Sequence, residues 1–277
     1  MAGIDARLAR RRFERAAPTY ARASRLEAEI GARMLARLDY VKLAPRLVLD
    51  AGSGPGQWAR ALARRYRGAT VIALDFALAM LARRGLRRWL GGTPLAVCAD
   101  FARLPLRAAS LDLVWSNMAL HWAAAPQAAL AEFARVLAPG GLLTLSTLGP
   151  DTLKELRAAA GEARVHRFAD MHDVGDALLA CGLADPVIDM EYVTVAYADA
   201  ATFLADLRAS GQTCAAPERP RGLAGRGFRA RLERALEALR RDGRIEITYE
   251  VIYGHAWKSA PRRSAAGRDI VRIVRAR

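Results

Sequence analysis

Lysine is nearly missing from this chain: of 43 basic residues only Lys42, Lys154 and Lys258 are not arginine. Acids are also few, 28 in 277 residues, which leaves a net charge of +15. Cysteine is scarce. Cys98, Cys181 and Cys214 lie far apart and form neither a CxxC pair nor a metal-ligand cluster with the four histidines, which excludes a disulfide scaffold and a zinc module. No metal is expected, and reduced thiols in a cytoplasmic setting are. No apolar run approaches the roughly 20 residues that span a bilayer, so no membrane partner is expected. Arg10, Arg11 and Arg12 stand without an apolar stretch behind them, and no secretory leader is expected. No internal repeat is present.

The acid deficit is uneven. Residues 1–45 hold 10 basic and 5 acidic residues, residues 46–214 hold 17 and 16, and residues 215–277 hold 16 and 7. A nearly neutral centre therefore lies between two basic flanks. Basic surface suits nucleic acid, yet the chain lacks a nucleic-acid module and the aromatic–basic interleaving of a single-strand groove. An acidic protein partner would be steered equally well, and charge runs also simply face water.

The centre opens with RLVLDAGSGPGQW, from Arg46 to Trp58. An apolar strand ends in Asp50, and a turn with Gly52, Gly54 and Gly56 at alternate positions leads into a helix. Glycine permits positive φ and close approach of a ligand to the backbone. A dinucleotide turn reads G-x-G-x-x-G and holds a pyrophosphate, which the acid here would repel. A cofactor with a cationic amino-acid end, such as S-adenosylmethionine, fits better. The next apolar run, ATVIALD, ends in Asp75 before Phe76, 19 residues beyond Gly56 and placed to accept from ribose hydroxyls. A third run, LAVCAD, brings Asp100 and Phe101, a carboxylate for an adenine amino group and a ring to stack on it. Singly, each acid reads as a helix cap, and the glycine turn alone reads as a tight βα corner. Three strand-end acids with the turn between the first two point to a nucleoside-bearing cofactor.

At this point the segment from Val48 to Thr147 resembles the class I S-adenosylmethionine-dependent methyltransferases. The likeness runs through LDLVWSNMALHW, where a fourth strand reaches Ser116 and Asn117, and through FARVLAPGGLLTLST, a helix, a Pro-Gly-Gly turn and a fifth strand. The flanking blocks RRFERAAPTYARAS, TLGPDTLKELR, FADMHDVGDALLACG, DPVIDMEYVTVAY and ITYEVIYGHAWK resemble the malonyl-acyl-carrier-protein O-methyltransferase family of biotin synthesis, over roughly residues 11–258. The resemblance implies S-adenosylmethionine as cofactor and an acidic carrier protein bearing a malonyl group as partner. Two other readings stay open: methylation of a small polycarboxylate of the trans-aconitate type, and an assembly or nucleic-acid-binding role without methyl transfer.

The implied fold is α/β and Rossmann-like, a seven-stranded, mostly parallel sheet. One or two helices within residues 8–38 precede it, with Pro18 as the point of division and Leu26, Ile30, Met34, Leu35 and Leu38 on one face. Residues 1–45 are expected to form a helical segment, 46–258 the methyltransferase domain with lid insertions at about 148–185 and 198–244, and 259–277 a basic tail. Helices are expected from Pro150 to Leu156, Met171 to Ala180, Ala200 to Arg208 and Ala230 to Arg240, with a loop over 219–229. Strands are expected over Val187–Tyr197 and Ile245–His255.

Asp50 and Gly52 are expected at the methionine end, Asp75 at the ribose and Asp100 with Phe101 at the adenine, with Gly54, Gly56, Phe76 and Asn117 as further cofactor-binding candidates. Tyr20 is a candidate to close over the cofactor or touch the acceptor. His121 and Trp122 follow the fourth strand, where the acceptor should lie, although Trp122 also reads as core. Asn117 is followed by Met-Ala-Leu, unlike the N-P-P-Y signature of many amino-group methyltransferases. A malonyl carboxylate is already ionised near neutral pH and needs no strong base, but its fixation calls for an arginine fork. Arg15, Arg157 and Arg208 are the candidates. His166, His172 and Asp173 are further candidates to shape the pocket, with Asp170 or Asp173 as a helix cap.

Overall fold

The apolar and alternating runs of the sequence become strands of one sheet. The computed structural model describes residues 3–82, 94–222 and 224–259. Within them β1 (Leu47–Ala51), β2 (Thr70–Asp75), β3 (Leu95–Cys98), β4 (Leu111–Ser116), β5 (Leu137–Leu148), β6 (Leu183–Tyr197) and β7 (Ile245–Lys258) lie in the order β3-β2-β1-β4-β5-β7-β6. The first five pair in parallel, and β7 runs antiparallel to both β5 and β6. This is the α/β, mostly parallel sheet expected. The chain steps from β1 to β2 and β3 on one side and resumes with β4 and β5 on the other, so a crevice opens outside the C-terminal ends of β1 and β4.

Alternation along the strands covers both faces. Val48, Leu113 and Trp115 join Ile30 and Met34 of α2 (Arg25–Arg37) and Leu62 of α3 (Gln57–Arg65), while the short α4 (Leu78–Ala82) follows β2. Leu49, Val114 and Leu143 face the other way, onto Leu130 and Phe133 of α5 (Pro126–Val136) and Leu178 of α7 (Met171–Ala180). Burial on both faces is what a parallel sheet requires.

Several boundaries differ from expectation for local reasons. Helix α1 (Ala6–Ala23) runs through Pro18, and the break falls at Ser24. Proline removes one helical donor, but the Thr19 hydroxyl anchors that turn by donating to the Ala209 carbonyl at 2.7 Å. Helix α6 spans Lys154–Ala160 rather than starting at Pro150. Leu153 has φ +58°, its N–H donates to the Thr248 carbonyl at 2.8 Å, and the Asp151 N–H donates to the Glu250 carboxylate at 2.7 Å. Residues 150–153 are thus held by β7.

After α8 (Ala200–Ala209), helix α9 (Arg226–Glu237) begins inside the expected loop and ends before Arg240. There the Arg240 guanidinium donates to the carbonyls of Ala198 and Gly243 at 2.6 and 2.7 Å, closing the chain back towards β7. The Pro139–Gly140–Gly141 turn lies within β5, with Gly140 at φ +81° and a register shift against β4. Strand β6 starts at Leu183 across an irregularity before Val187, and its pairing carries β7 on to Lys258. The expected basic tail lies outside the described residues from 260 onward.

Candidate active site

At the crevice the chain leaves β1 through Gly52, Gly54 and Gly56, with φ of +80°, +51° and +76°. A Cβ at Gly52 would stand 2.4 Å from the Cβ of Ala119, so both backbone and space demand glycine there. The N–H groups of Gly52 and Ser53 donate to the Leu74 carbonyl at 2.8 and 2.9 Å. The two oxygens of Asp75 accept from the N–H groups of Gly54 and Ala77, each at 2.8 Å. The acid at the end of β2 therefore braces the turn as well as facing the cavity beside it. That cavity is lined by Gly52, Gly54, Asp75, Phe76 and Asn117, a concave wall with a few convergent polar groups of the kind small-molecule sites have.

Helices α1 and α2 roof it with Phe13, Tyr20 and Glu27. Phe13 packs edge-on against Trp122 and Phe76, centroids 4.9 and 5.9 Å apart. The Tyr20 ring lies 3.5 Å from where a Cβ on Gly54 would be. Burial, with the charges of Glu27, Asp75 and Asp50, pushes its phenol well above the usual range, so it stays neutral. Glu27 is buried, and burial raises its carboxyl to about 7 although the Gln212 amide donates to it. Asn117 donates to the Glu27 main-chain carbonyl at 2.9 Å and accepts from the Ser146 hydroxyl at 3.0 Å. Next to it Met118 adopts φ +51°, a region costly for a side-chain-bearing residue, and its N–H donates to the Ser146 hydroxyl oxygen at 2.9 Å.

A second cavity, of about 850 Å³, adjoins the first, and Trp122 and Gln212 line both. Its apolar wall comes from Leu153 and Leu156 beside and within α6, Leu204 and Leu207 of α8, and Phe228 and Leu232 of α9. His121, His166, Arg164 and Arg208 supply the polar side. Burial, followed by the charge of His166, lowers His121 to about 3. Burial and the Arg12 charge lower His166 to about 4. His166 Nε2 accepts from the Ala215 N–H at 2.6 Å, which puts the ring proton on Nδ1. The Arg208 guanidinium donates to the Leu204 carbonyl at 3.1 Å, and that of Arg164 lies 4.0 Å from the centre of the Phe228 ring. An apolar corridor with two guanidinium groups and two neutral imidazoles suits a carboxylate on a slender acyl arm.

Most of the expected residues meet here. Tyr20, Gly52, Gly54, Asp75, Phe76, Asp100, Phe101 and Asn117 line the first cavity, His121 and Arg208 the second, and Trp122 both. Asp50, 1% exposed, and Gly56, which precedes α3, are not among the lining residues and shape the turn from behind. Asp100 also accepts from the Ala102 N–H at 2.8 Å, and the Phe101 ring packs on Phe133 at 5.8 Å.

Two arginines are elsewhere. Arg15 is exposed on α1 and lines neither cavity. Arg157 donates to the Pro150 carbonyl at 2.8 Å and pairs with Glu162 at 3.6 Å, securing the start of α6. Of the other candidates His166 lines the second cavity, while His172 and Asp173 do not. Asp170 is the cap of α7, accepting from the Asp173 N–H at 2.8 Å. Glu27, Met118, Arg164 and Gln212 line the two cavities and are not among the residues expected from the sequence. Glu27 did carry a signal, an acid in helical register with Ile30 and Met34 on a buried face.

A family model described as a methyltransferase domain matches residues 49–145. The malonyl-acyl-carrier-protein O-methyltransferase of Methylovorus sp. (strain MP688) is 53% identical over 269 residues, spanning 94% of this chain and 91% of its own. That of Laribacter hongkongensis (strain HLHK9) is 50% identical over 274 residues, spanning 94% and 92%. The chain belongs to the malonyl-acyl-carrier-protein O-methyltransferase family.

Among solved structures the YcgJ protein of Bacillus subtilis superposes with a TM-score of 0.61 at 18% identity, covering 82% of this chain and 98% of its own. The phosphoethanolamine N-methyltransferase 2 of Haemonchus contortus, solved with S-adenosyl-L-methionine, gives 0.53 at 16% identity, covering 83% and 52%. These likenesses show the class I methyltransferase fold. Members of the malonyl-acyl-carrier-protein O-methyltransferase family depend on S-adenosylmethionine, and the first cavity fits it: a cradle closed to any Cβ at Gly52, with Asp75 and Asp100 on the wall.

Proposed function

We propose that this chain methylates the free carboxylate of a malonyl group held as a thioester on acyl carrier protein, the disguised acid then serving as a starter for biotin's acyl chain. The observation that carries the reading is the meeting of the two cavities at Trp122 and Gln212, with a nucleoside-type cradle on one side and an arginine-bearing apolar corridor on the other.

Bound S-adenosylmethionine supplies an electrophilic methyl group on a sulfonium. Gly52 and Gly54 admit it against the backbone, Asp75 accepts from its ribose, Asp100 from its adenine amino group, and Tyr20 closes the roof. Glu27 and Asn117 face its methionine end. Arg208 grips the acceptor carboxylate through a bidentate fork. A malonyl carboxylate is already ionised at neutral pH, so no residue has to remove a proton. His121, held neutral by burial, offers a single hydrogen bond without competing for the negative charge. Helices α6, α8 and α9 act as the lid that keeps water from the corridor, and the remaining task is alignment.

Transfer of labelled methyl from S-adenosylmethionine tests the reading with malonyl-carrier, acetyl-carrier and trans-aconitate as parallel acceptors. Label on the malonyl carrier alone supports it. Label on trans-aconitate alone assigns a small-acid enzyme, and no label despite cofactor binding assigns a role without methyl transfer.

A further inference from the structure

The second cavity has an outer end. Arg164 and Cys214 line it and also line a third cavity, whose remaining walls are Leu8, Arg12, Arg219, Pro220 and Arg221. Four guanidinium groups thus surround one opening. Arg12 is fixed by donating to the Thr213 carbonyl at 2.8 Å and to the Cys214 carbonyl. Arg219 donates to the Ala216 carbonyl at 2.9 Å and pairs with Asp5 at 3.4 Å. Arg164 is braced by the Phe228 ring at 4.0 Å. The acids acting on this group are Asp5, which pairs with Arg219, and Glu218, whose charge reaches His166 and Cys214. Cations remain in excess over these acids. The concentration is local, because Arg208 is the one arginine besides Arg164 among the residues lining the second cavity, whose wall is otherwise mainly apolar.

Such a mouth calls for a compact anion attached to a thin, mostly apolar arm. Guanidinium forks match phosphate oxygens in pairs and are weakly hydrated. Resting on the functional reading above, we propose that the mouth formed by Arg164, Arg219 and Arg221, with Arg12 behind them, binds the phosphate at the 4′-oxygen of the pantetheine arm. The arm then threads the corridor and brings the malonyl end to Trp122. The same phosphate chemistry is present in an acyl carrier protein, as a phosphodiester, and in coenzyme A, as a diphosphate. A flat protein-docking patch would need no connection to the corridor, whereas this mouth shares two residues with it.

Steady-state kinetics with malonyl-acyl carrier protein, malonyl-coenzyme A and malonyl-pantetheine, which lacks the phosphate, test the assignment in the parent, Arg164→Met and Arg221→Ala. Calorimetry with 4′-phosphopantetheine against pantetheine gives a readout independent of turnover, and binding of S-adenosylhomocysteine reports that each variant folds. The parent should favour malonyl-coenzyme A over malonyl-pantetheine in kcat/KM by roughly 100-fold, and each variant should lose about tenfold of that preference. Phosphopantetheine should bind detectably tighter than pantetheine, and less so in the variants.

A parent indifferent to the phosphate in both readouts, or variants that keep its preference, would overturn the assignment. Loss confined to the carrier protein, with the coenzyme A preference intact, would also overturn it and hand these arginines to the carrier's own surface. No transfer to any malonyl thioester would contradict the functional reading, and preferential phosphopantetheine binding would then still uphold the mouth.

Discussion

Gln212, in the loop after α8, donates its side-chain amide to the carboxyl of Glu27 on α2, and both side chains line the cavity beside the glycine turn. One contact thus joins the roof of the first cavity to the wall it shares with the second.

This buried pair has a pH signature. Burial lifts Glu27 to about 7 from an ordinary value of 4.5. Between those values the folded state holds a proton that the unfolded state has released, so stability falls as pH rises from 4.5 to 7 and is level beyond. The change is on the order of 3 kcal/mol. Urea unfolding of the parent and Glu27→Gln across pH 4.5–8 should show the variant gaining on the parent through that window; a constant difference would contradict it.

The histidines slope the other way. His166 is held near 4 and His121 near 3, against an ordinary 6.5. The unfolded chain takes up protons below 6.5 that the folded chain refuses, so their contribution is full above 6.5 and is lost as pH falls towards 4. Protonation of His166 Nε2 also breaks its bond with the Ala215 N–H. His166→Gln should flatten the acid limb of the unfolding curve by about 2–3 kcal/mol between pH 6.5 and 4. An unchanged acid limb would show that the ring is not buried neutral.

The turn is sensitive at two points. Gly54→Val places a branched side chain at φ +51°, and Asp75→Ala leaves the Gly54 and Ala77 N–H groups without their acceptor. Strain and orphaned donors each cost about 1–3 kcal/mol. S-adenosylhomocysteine titration should show roughly tenfold or greater weakening with Asp75→Ala and near-complete loss with Gly54→Val. Parent-like affinity in both would move the cofactor elsewhere.

Arg208→Met should reduce kcat/KM for the malonyl carrier by roughly 10–100-fold, the loss of a charge-assisted fork, while cofactor affinity measured by titration holds. Parallel loss of cofactor affinity would place Arg208 in the wrong cavity.

The glycine turn, the strand-end acids and the parallel strands were legible because glycine spacing and apolar runs are local signals. Tyr20 was legible only through likeness to a family, and its seat on Gly54 depends on a helix 34 residues upstream. Pro18 misled because tertiary anchoring by Thr19 outweighs one missing helical bond. Arg15 and Arg157 could not be told from Arg164 and Arg208, since every arginine looks alike until folding decides which faces a cavity. Gln212 had no local mark at all.

Intact-mass analysis of malonyl-acyl carrier protein after incubation with this protein and S-adenosylmethionine bears on the central claim most directly. The carrier should gain the mass of one methyl group on the malonyl form and none on the acetyl form, with the gain removed by mild ester hydrolysis. An unmodified malonyl carrier, under conditions where the cofactor binds, would contradict it.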